Sequence, residues 1–426
     1  MEHMAAIAAV AALVFGYSLV SGHLEMSPIT PPMMFVSAGI VIGAMGLGLV
    51  DQDQLDVGAI GVLAEGTLVL LLFTDAIRID LSRLRREAAI PLRLLGVGLP
   101  LTVLTGTVIG VLIFPELGWA GALTIAAILA PTDAALGDAV ISNRRVPIRI
   151  RQNINVESGL NDGLMVPIVA AAVALLVMRE SGTGAGGWAL LVGRQVGFGA
   201  LLGALTGASG GRLLDLFAHR SWVDGIFRQL ATLSIGVGAF AGAELVGGNG
   251  FVAAFVAGLA FGVTAREHCE GAYDFSEDEG QLLSLLTFLA FGATVAGPAL
   301  QAVTPRIVLY AMASLTIVRM VPVATALIGS RLKLPTVAYI GWFGPRGLAS
   351  ILFAVFLLEG AKNAPSEIFT LVVCTVLLSV YLHGATAAPL SNRYAAWVEG
   401  MAGELTHETA PMTESPVRAR AGGTLS

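Results

Sequence analysis

Apolar residues run through this chain in long, nearly unbroken blocks, with the polar residues gathered in short runs between them. A block of roughly 17 to 25 apolar residues is long enough to cross the hydrocarbon core of a bilayer as a helix. Thirteen such blocks occur, near residues 4–21, 30–50, 57–76, 93–114, 118–137, 154–178, 189–211, 229–246, 249–264, 282–297, 306–329, 336–358 and 366–389. The pattern predicts an all-α polytopic membrane protein. Composition agrees: of 426 residues 55% are hydrophobic and 13% charged, with mean hydropathy +0.80, a balance outside the soluble globular range. Glycine, at 52 residues, suits helices that approach closely in lipid, and Gly197-x-Gly199 and Gly203-x-x-x-Gly207 read as packing surfaces. Cys269 and Cys374 stand far apart without metal spacing and read as small apolar fillers.

Basic residues fall in alternate loops, which sets the expected orientation. Arg78, Arg83, Arg85, Arg86 and Arg93 follow the third block, Arg144, Arg145, Arg149 and Arg151 the fifth, and Arg212, Arg220 and Arg228 the seventh. The intervening loops, such as 51–56 and 247–250, hold almost none. The N-terminus is therefore expected outside and the C-terminus in the cytoplasm, although loop 266–279 is net acidic. Met1-Glu2-His3 has no Lys or Arg, which predicts a retained first helix rather than a signal peptide. The transmembrane domain is expected to span 1–398; residues 399–426, rich in Thr, Pro, Gly and Glu, read as a short disordered tail.

Two groups of three blocks, 93–178 and 306–389, match in length and spacing, and each carries a proline inside its middle block, Pro131 and Pro345. Proline removes a helical hydrogen bond and frees the carbonyl four residues earlier, here Ala127 and Gly341. The two groups start on opposite sides of the membrane, so they form an inverted repeat, and paired breaks at matching places point to a transport site near the midplane.

Polar residues adjoin both breaks, in Ala130-Pro131-Thr132-Asp133 and Gly344-Pro345-Arg346-Gly347, and the block 154–178 contains Glu157-Ser158-Gly159-Leu160-Asn161-Asp162. Ionisable groups inside a span are expensive and mark function. Positions four apart share a helix face, which pairs Glu157 with Asn161 and Ser158 with Asp162. Asp162 and Ser158, set against Thr132 and Asp133, offer hard oxygen ligands that suit a monovalent cation, with too few carboxylates for a divalent cage. Burial disfavours a charged carboxylate and a bound cation favours it, so cation and proton compete for one group. Glu157 needs a buried partner; Arg319 is the favoured one and Arg346 the competitor. Arg346 is otherwise expected to offset the partial negative charge of freed carbonyls. Asp75 and Glu65, in the third block, are expected at the mouth of the site or behind it. His23, His219, His268 and His383 fall at block ends or in loops and read as solvated or interfacial. The chain lacks the Gly-x-x-x-x-Gly-Lys-Ser/Thr loop of nucleotide-driven pumps, the repeated selectivity loops of a channel and the His-Glu-x-x-His motif of a membrane metalloprotease. An enzyme is not expected, and neither is a resident cofactor or a nucleic-acid partner.

Taken in order, Pro131-Thr132-Asp133, Glu157 to Gly163, Gly250 to Gly258, Arg346-Gly347, His383-Gly384 and Pro389-Leu390 resemble the monovalent cation:proton antiporter superfamily, in its sodium/proton exchanger branch with the bacterial NhaP-like proteins. The resemblance covers residues 5–398. It implies a homodimer in the inner membrane whose core domain, mainly 93–178 and 306–389, moves like an elevator against a dimerisation domain. It implies cation and proton binding at Asp162 with help from Asp133, Thr132 and Ser158, and a Glu157–Arg319 pair. Relatives with Asn-Asp where this chain has Asn161-Asp162 are typically electroneutral. Ala134 departs from the proline many relatives carry there, which bears on ion preference, Na+ against K+ or Li+.

Overall fold

The computed structural model describes residues 2–24, 27–43, 45–49, 57–77, 79, 89–133, 136–181, 185–223, 225–265, 270–361, 365–401 and 408. Ala134, the basic residues at 78–86, and nearly all of the tail lie outside these. The described residues are helical and include no strand: α1 (Glu2–Leu24), α2 (Pro31–Ile42), α3 (Val57–Ile77), α4 (Ala89–Ile113), α5 (Gly118–Leu129), α6 (Asp138–Ile141), α7 (Ile148–Ser181), α8 (Ala185–His219), α9 (Ile226–Leu245), α10 (Gly250–Thr264), α11 (Glu270–Phe291), α12 (Pro305–Leu315), α13 (Ile317–Ala326), α14 (Leu334–Trp342), α15 (Leu348–Gly360) and α16 (Ser366–Glu399). Each predicted block holds a helix, and seven continuous stretches among the described residues are long and apolar enough to cross a membrane.

Prolines and glycines explain where the helices depart from regularity. A π-turn at Leu94–Gly98 precedes Pro100, and another, Gly292–Ala296, carries α11 into Gly297–Gln301 just ahead of Pro298. In each, the widened turn accommodates the backbone bond that proline cannot make. The block at 30–50 is helical only to Ile42, because the chain turns at Gly43 and bends through Gly48 at φ +63°. The block at 306–329 kinks at Thr316.

Two of the helices that extend further than their apolar blocks change a sequence-based expectation. α7 starts at Ile148 and so takes in Arg151, which is buried and donates to the carbonyls of Val146 (3.0 Å) and Ile141 (3.1 Å) instead of standing in a solvated loop. α16 runs through Pro389 to Glu399, and this moves His383 from an expected span end into the interior, where it is 1% exposed. The interfacial reading of His383 is therefore wrong. His219, at the end of α8, is exposed as expected, whereas the side chains of His23 and His268 lie outside the described residues.

Glycine packing sets the scaffold around α10. A Cβ at Gly199, Gly203 or Gly207 of α8 would lie 2.5, 2.4 and 2.2 Å from the carbonyl oxygens of Asn249, Ala253 and Ala257. On the other side of α10, Gly258 and Gly262 press against the backbone of Phe73 and Ile77 in α3. Only glycine permits such approach. Gly197 faces open space and takes no part. Beside this scaffold, α4–α7 and α12–α16 are the two repeated units, each with a helix interrupted midway.

Candidate functional site

The two interruptions meet. Pro131 has no N–H to give Ala127, so α5 stops at Leu129 and residues 130–133 run non-helically; residues 343–347 do the same between α14 and α15. The segments join where Asp133 N–H donates to Pro345 O at 2.8 Å. Each break then compensates a helix end of the other. Asp133 Oδ2 accepts from the N–H of Leu348, the first residue of α15, at 2.7 Å, so a carboxylate sits at the positive end of that helix. Arg346 Nη1 donates to the carbonyls of Ala130 (2.5 Å) and Pro131 (3.1 Å), so a guanidinium sits at the negative end of α5. The carbonyls it holds belong to the opposite break, not its own. Ser350 Oγ donates to Ile128 O at 2.8 Å and adds to the same seam. A Cβ at Gly347 would lie 2.0 Å from Asp133 Oδ2, so the crossing leaves no room for a side chain there.

α7 packs its acidic stretch against this crossing. Arg319 grips Glu157 with both terminal guanidinium nitrogens, Nη1 to Oε1 at 2.5 Å and Nη2 to Oε2 at 2.8 Å, with both residues about fully buried. The kink at Thr316 begins the short helix that carries Arg319. Arg346 is engaged at Ala130 and Pro131, so of the two candidates it is Arg319 that meets Glu157. Asn161 lies elsewhere than its pairing with Glu157 implied: its Nδ2 donates to Thr132 Oγ1 at 2.6 Å, and Thr132 Oγ1 is 3.0 Å from Ser158 Oγ. Residues three apart on a helix are neighbours as well as residues four apart, and this brings Asn161 round to Ser158.

Ser158, Asp162, Asp133, Leu348 and Ala349 line one wall of a narrow cavity whose other wall is Leu68, Leu71, Leu72 and Asp75 of α3 with Ser284 of α11. Asp162 and Asp75 are half-buried, and both border the cavity. Thr132 reaches it only through Ser158, and Glu65 is not among its lining residues. Three carboxylates and two hydroxyls thus converge, a set of hard oxygen donors suited to a small cation. Sequence reasoning passed over Ser284, Ser350 and Ser379. A lone serine in an apolar block carries no signal, whereas Ser379 and His383 are a polar pair four residues apart in the last block and could have been found.

The chain matches the family described as "Sodium/hydrogen exchanger, transmembrane" over residues 9–393. It is 24% identical over 368 residues to the K(+)/H(+) antiporter NhaP2 of Shewanella oneidensis and 26% identical over 370 residues to the K(+)/H(+) antiporter NhaP of Alkalimonas amylolytica. Both alignments take in 84% of this chain, which spans 62% of the length of those relatives. In structure it resembles the sodium proton antiporter MjNhaP1 of Methanocaldococcus jannaschii at pH 8, with a TM-score of 0.73 and 24% identity, over 93% of this chain and 100% of that one. The shared fold, the inverted repeat with its crossed breaks and the match across most of the sequence lead to one conclusion: the chain belongs to the sodium/hydrogen exchanger family of transmembrane proteins.

Proposed function

We propose that the chain is a secondary antiporter that exchanges Na+ for H+, one for one, at Asp162. One observation carries this reading. Glu157 is held by Arg319 and Asp133 accepts from the amides of Leu348 and Leu136, while half-buried Asp162 borders the cavity on the same wall as Ser158. Within the repeated units, Asp162 is the carboxylate placed to trade a proton for a cation. A cation bound by Asp162, with Asp133, Ser158 and Thr132 in support, requires the deprotonated form, and protonation expels it. With one carboxylate titrating per cycle, the exchange is electroneutral. The driving force is an ion gradient, and no resident cofactor takes part.

The cavity's two walls support alternating access by elevator motion. One wall belongs to the repeated units and the other to α3 and α11, so sliding the first against the second would carry the site across the membrane. The repeated units are the moving core within a transmembrane domain of 1–398. The remaining helices form the scaffold through which two copies associate, in the inner membrane with the N-terminus outside and the C-terminus in the cytoplasm. Asp75 and Ser284 approach the ion from the scaffold side, and Glu65 stands further along α3. K+/H+ exchange at the same residues is the second reading, favoured by the names of the two curated relatives. Proton flux into proteoliposomes on addition of Na+, K+ or Li+ tests both. Flux with Na+ that ignores a clamped voltage supports the first, flux with K+ alone supports the second, and cation flux without proton movement overturns the antiport reading.

A further inference from the structure

Ser379 and His383 lie one turn apart on α16, both buried, and neither is part of the ion site described above. Together they bind the second break from both ends. The N–H of Arg346, in the non-helical segment, donates to Ser379 Oγ at 2.6 Å. The carbonyl of Trp342, the last residue of α14, lies 3.0 Å from His383 Nε2. A carbonyl only accepts, so Nε2 carries a proton. Ser379 Oγ accepts from Arg346, and its own proton is directed to His383 Nδ1, 3.0 Å away. Ser379 O is 3.1 Å from Nδ1 as well, but as a helix carbonyl it accepts from the backbone four residues on. The chain Arg346 N–H, Ser379, His383, Trp342 O then uses every donor and supplies an N–H and a carbonyl that an unbroken helix would bond to each other; the Trp342 carbonyl also accepts from the Gly344 N–H at 2.8 Å.

What this chain holds in place is the residue that reaches the first break. The backbone of Arg346 is fixed at Ser379 while its guanidinium is fixed at Ala130 and Pro131, immediately before Thr132 and Asp133. Resting on the antiport reading, we infer that His383, acting through Ser379, is a positioning residue of the exchange: it fixes the second break so that Arg346 keeps Asp133 at the cavity and Thr132 against Ser158. Neither side chain touches the cavity, so its effect is on the geometry of the site and not on ligand count.

The test compares His383→Leu, His383→Gln and Ser379→Ala with the wild-type chain in two readouts: the cation dependence of proton flux in proteoliposomes, and the rise in Tm with cation concentration in detergent, which reports binding without transport. His383→Leu and Ser379→Ala should each raise the apparent KM about tenfold and shift the Tm response to match, as expected when a buried group loses its partner and the site loosens. The Gln variant, whose amide N–H stands near the place of Nε2–H, should stay within about threefold of wild type. If His383→Leu keeps the wild-type KM and Tm response while its yield or maximal rate falls, the residue is structural only and the inference fails. If that variant does not fold, Ser379→Ala decides by the same readouts. A wild-type chain with neither flux nor cation-dependent stabilisation would remove the antiport reading, and this inference with it.

Discussion

At the scale of single residues, three carboxylates of similar chemistry occupy three different situations. Glu157 is locked to Arg319, Asp133 accepts backbone N–H groups at a helix start, and Asp162 borders the cavity. Replacing Asp162 with Asn should abolish exchange and leave the Tm unchanged or higher, because the cost of keeping a half-buried carboxylate charged inside the membrane is removed; retained cation-driven proton flux would refute the mechanism. Glu157→Gln should lower stability by about 3–5 kcal/mol, the usual result of breaking a buried pair, and the double variant Glu157→Gln with Arg319→Gln should recover part of it. Thermal unfolding of the three proteins measures this, and a single variant as stable as wild type yet inactive would move Glu157 into the ion path. The acidic run and the two arginines were visible in the sequence because charge in an apolar block stands out. His383 was misjudged for a physical reason: hydropathy marks where an apolar block ends, and α16 continues ten residues past that point through Pro389.

At the scale of elements, the crossed breaks are held by exchange of charge between helix ends. Asp133→Asn keeps an oxygen at the start of α15 but loses the charge, so it should slow exchange without abolishing it. Gly347→Ala is the sharper test. Its Cβ would collide with the Asp133 carboxylate, the segments would have to separate, and exchange should fall at least about tenfold in the flux assay. Wild-type rates from that variant would mean that the crossing is looser than its distances imply. The breaks themselves were legible from Pro131 and Pro345. Which carbonyls Arg346 serves was not, because proline marks only the carbonyl four residues back in its own helix, and the partners proved to be in the opposite unit. The glycine contacts were half legible: Gly199, Gly203 and Gly207, four residues apart in turn, face α10, while Gly197, read with Gly199 as a packing surface, faces open space.

At the scale of the whole molecule, the cavity lies between the repeated units and helices α3 and α11. If exchange requires these bodies to slide, tying them together should stop it. In a background without Cys269 and Cys374, bridging Leu72→Cys to Ala349→Cys with a short bifunctional thiol reagent should halt flux, and reagent on either cysteine alone should not. Undiminished flux after complete bridging would rule out sliding at this cavity. The thirteen-span, inverted-repeat plan could be read from block lengths and matched prolines, since lipid leaves a helix few alternatives. The cavity could not, because it joins α3 and α11 to residues far away in sequence, and period and composition carry no such distances.

The central claim is that proton and cation compete at one carboxylate, and the most direct test is proton flux in proteoliposomes carrying a pH-sensitive dye. Na+, K+ or Li+ would be added with and without a clamped voltage, to the wild-type chain and to Asp162→Asn. Competition at Asp162 predicts flux with Na+ that is independent of voltage and absent from the mutant. Cation movement that follows voltage without moving protons, or exchange that survives in Asp162→Asn, would contradict it.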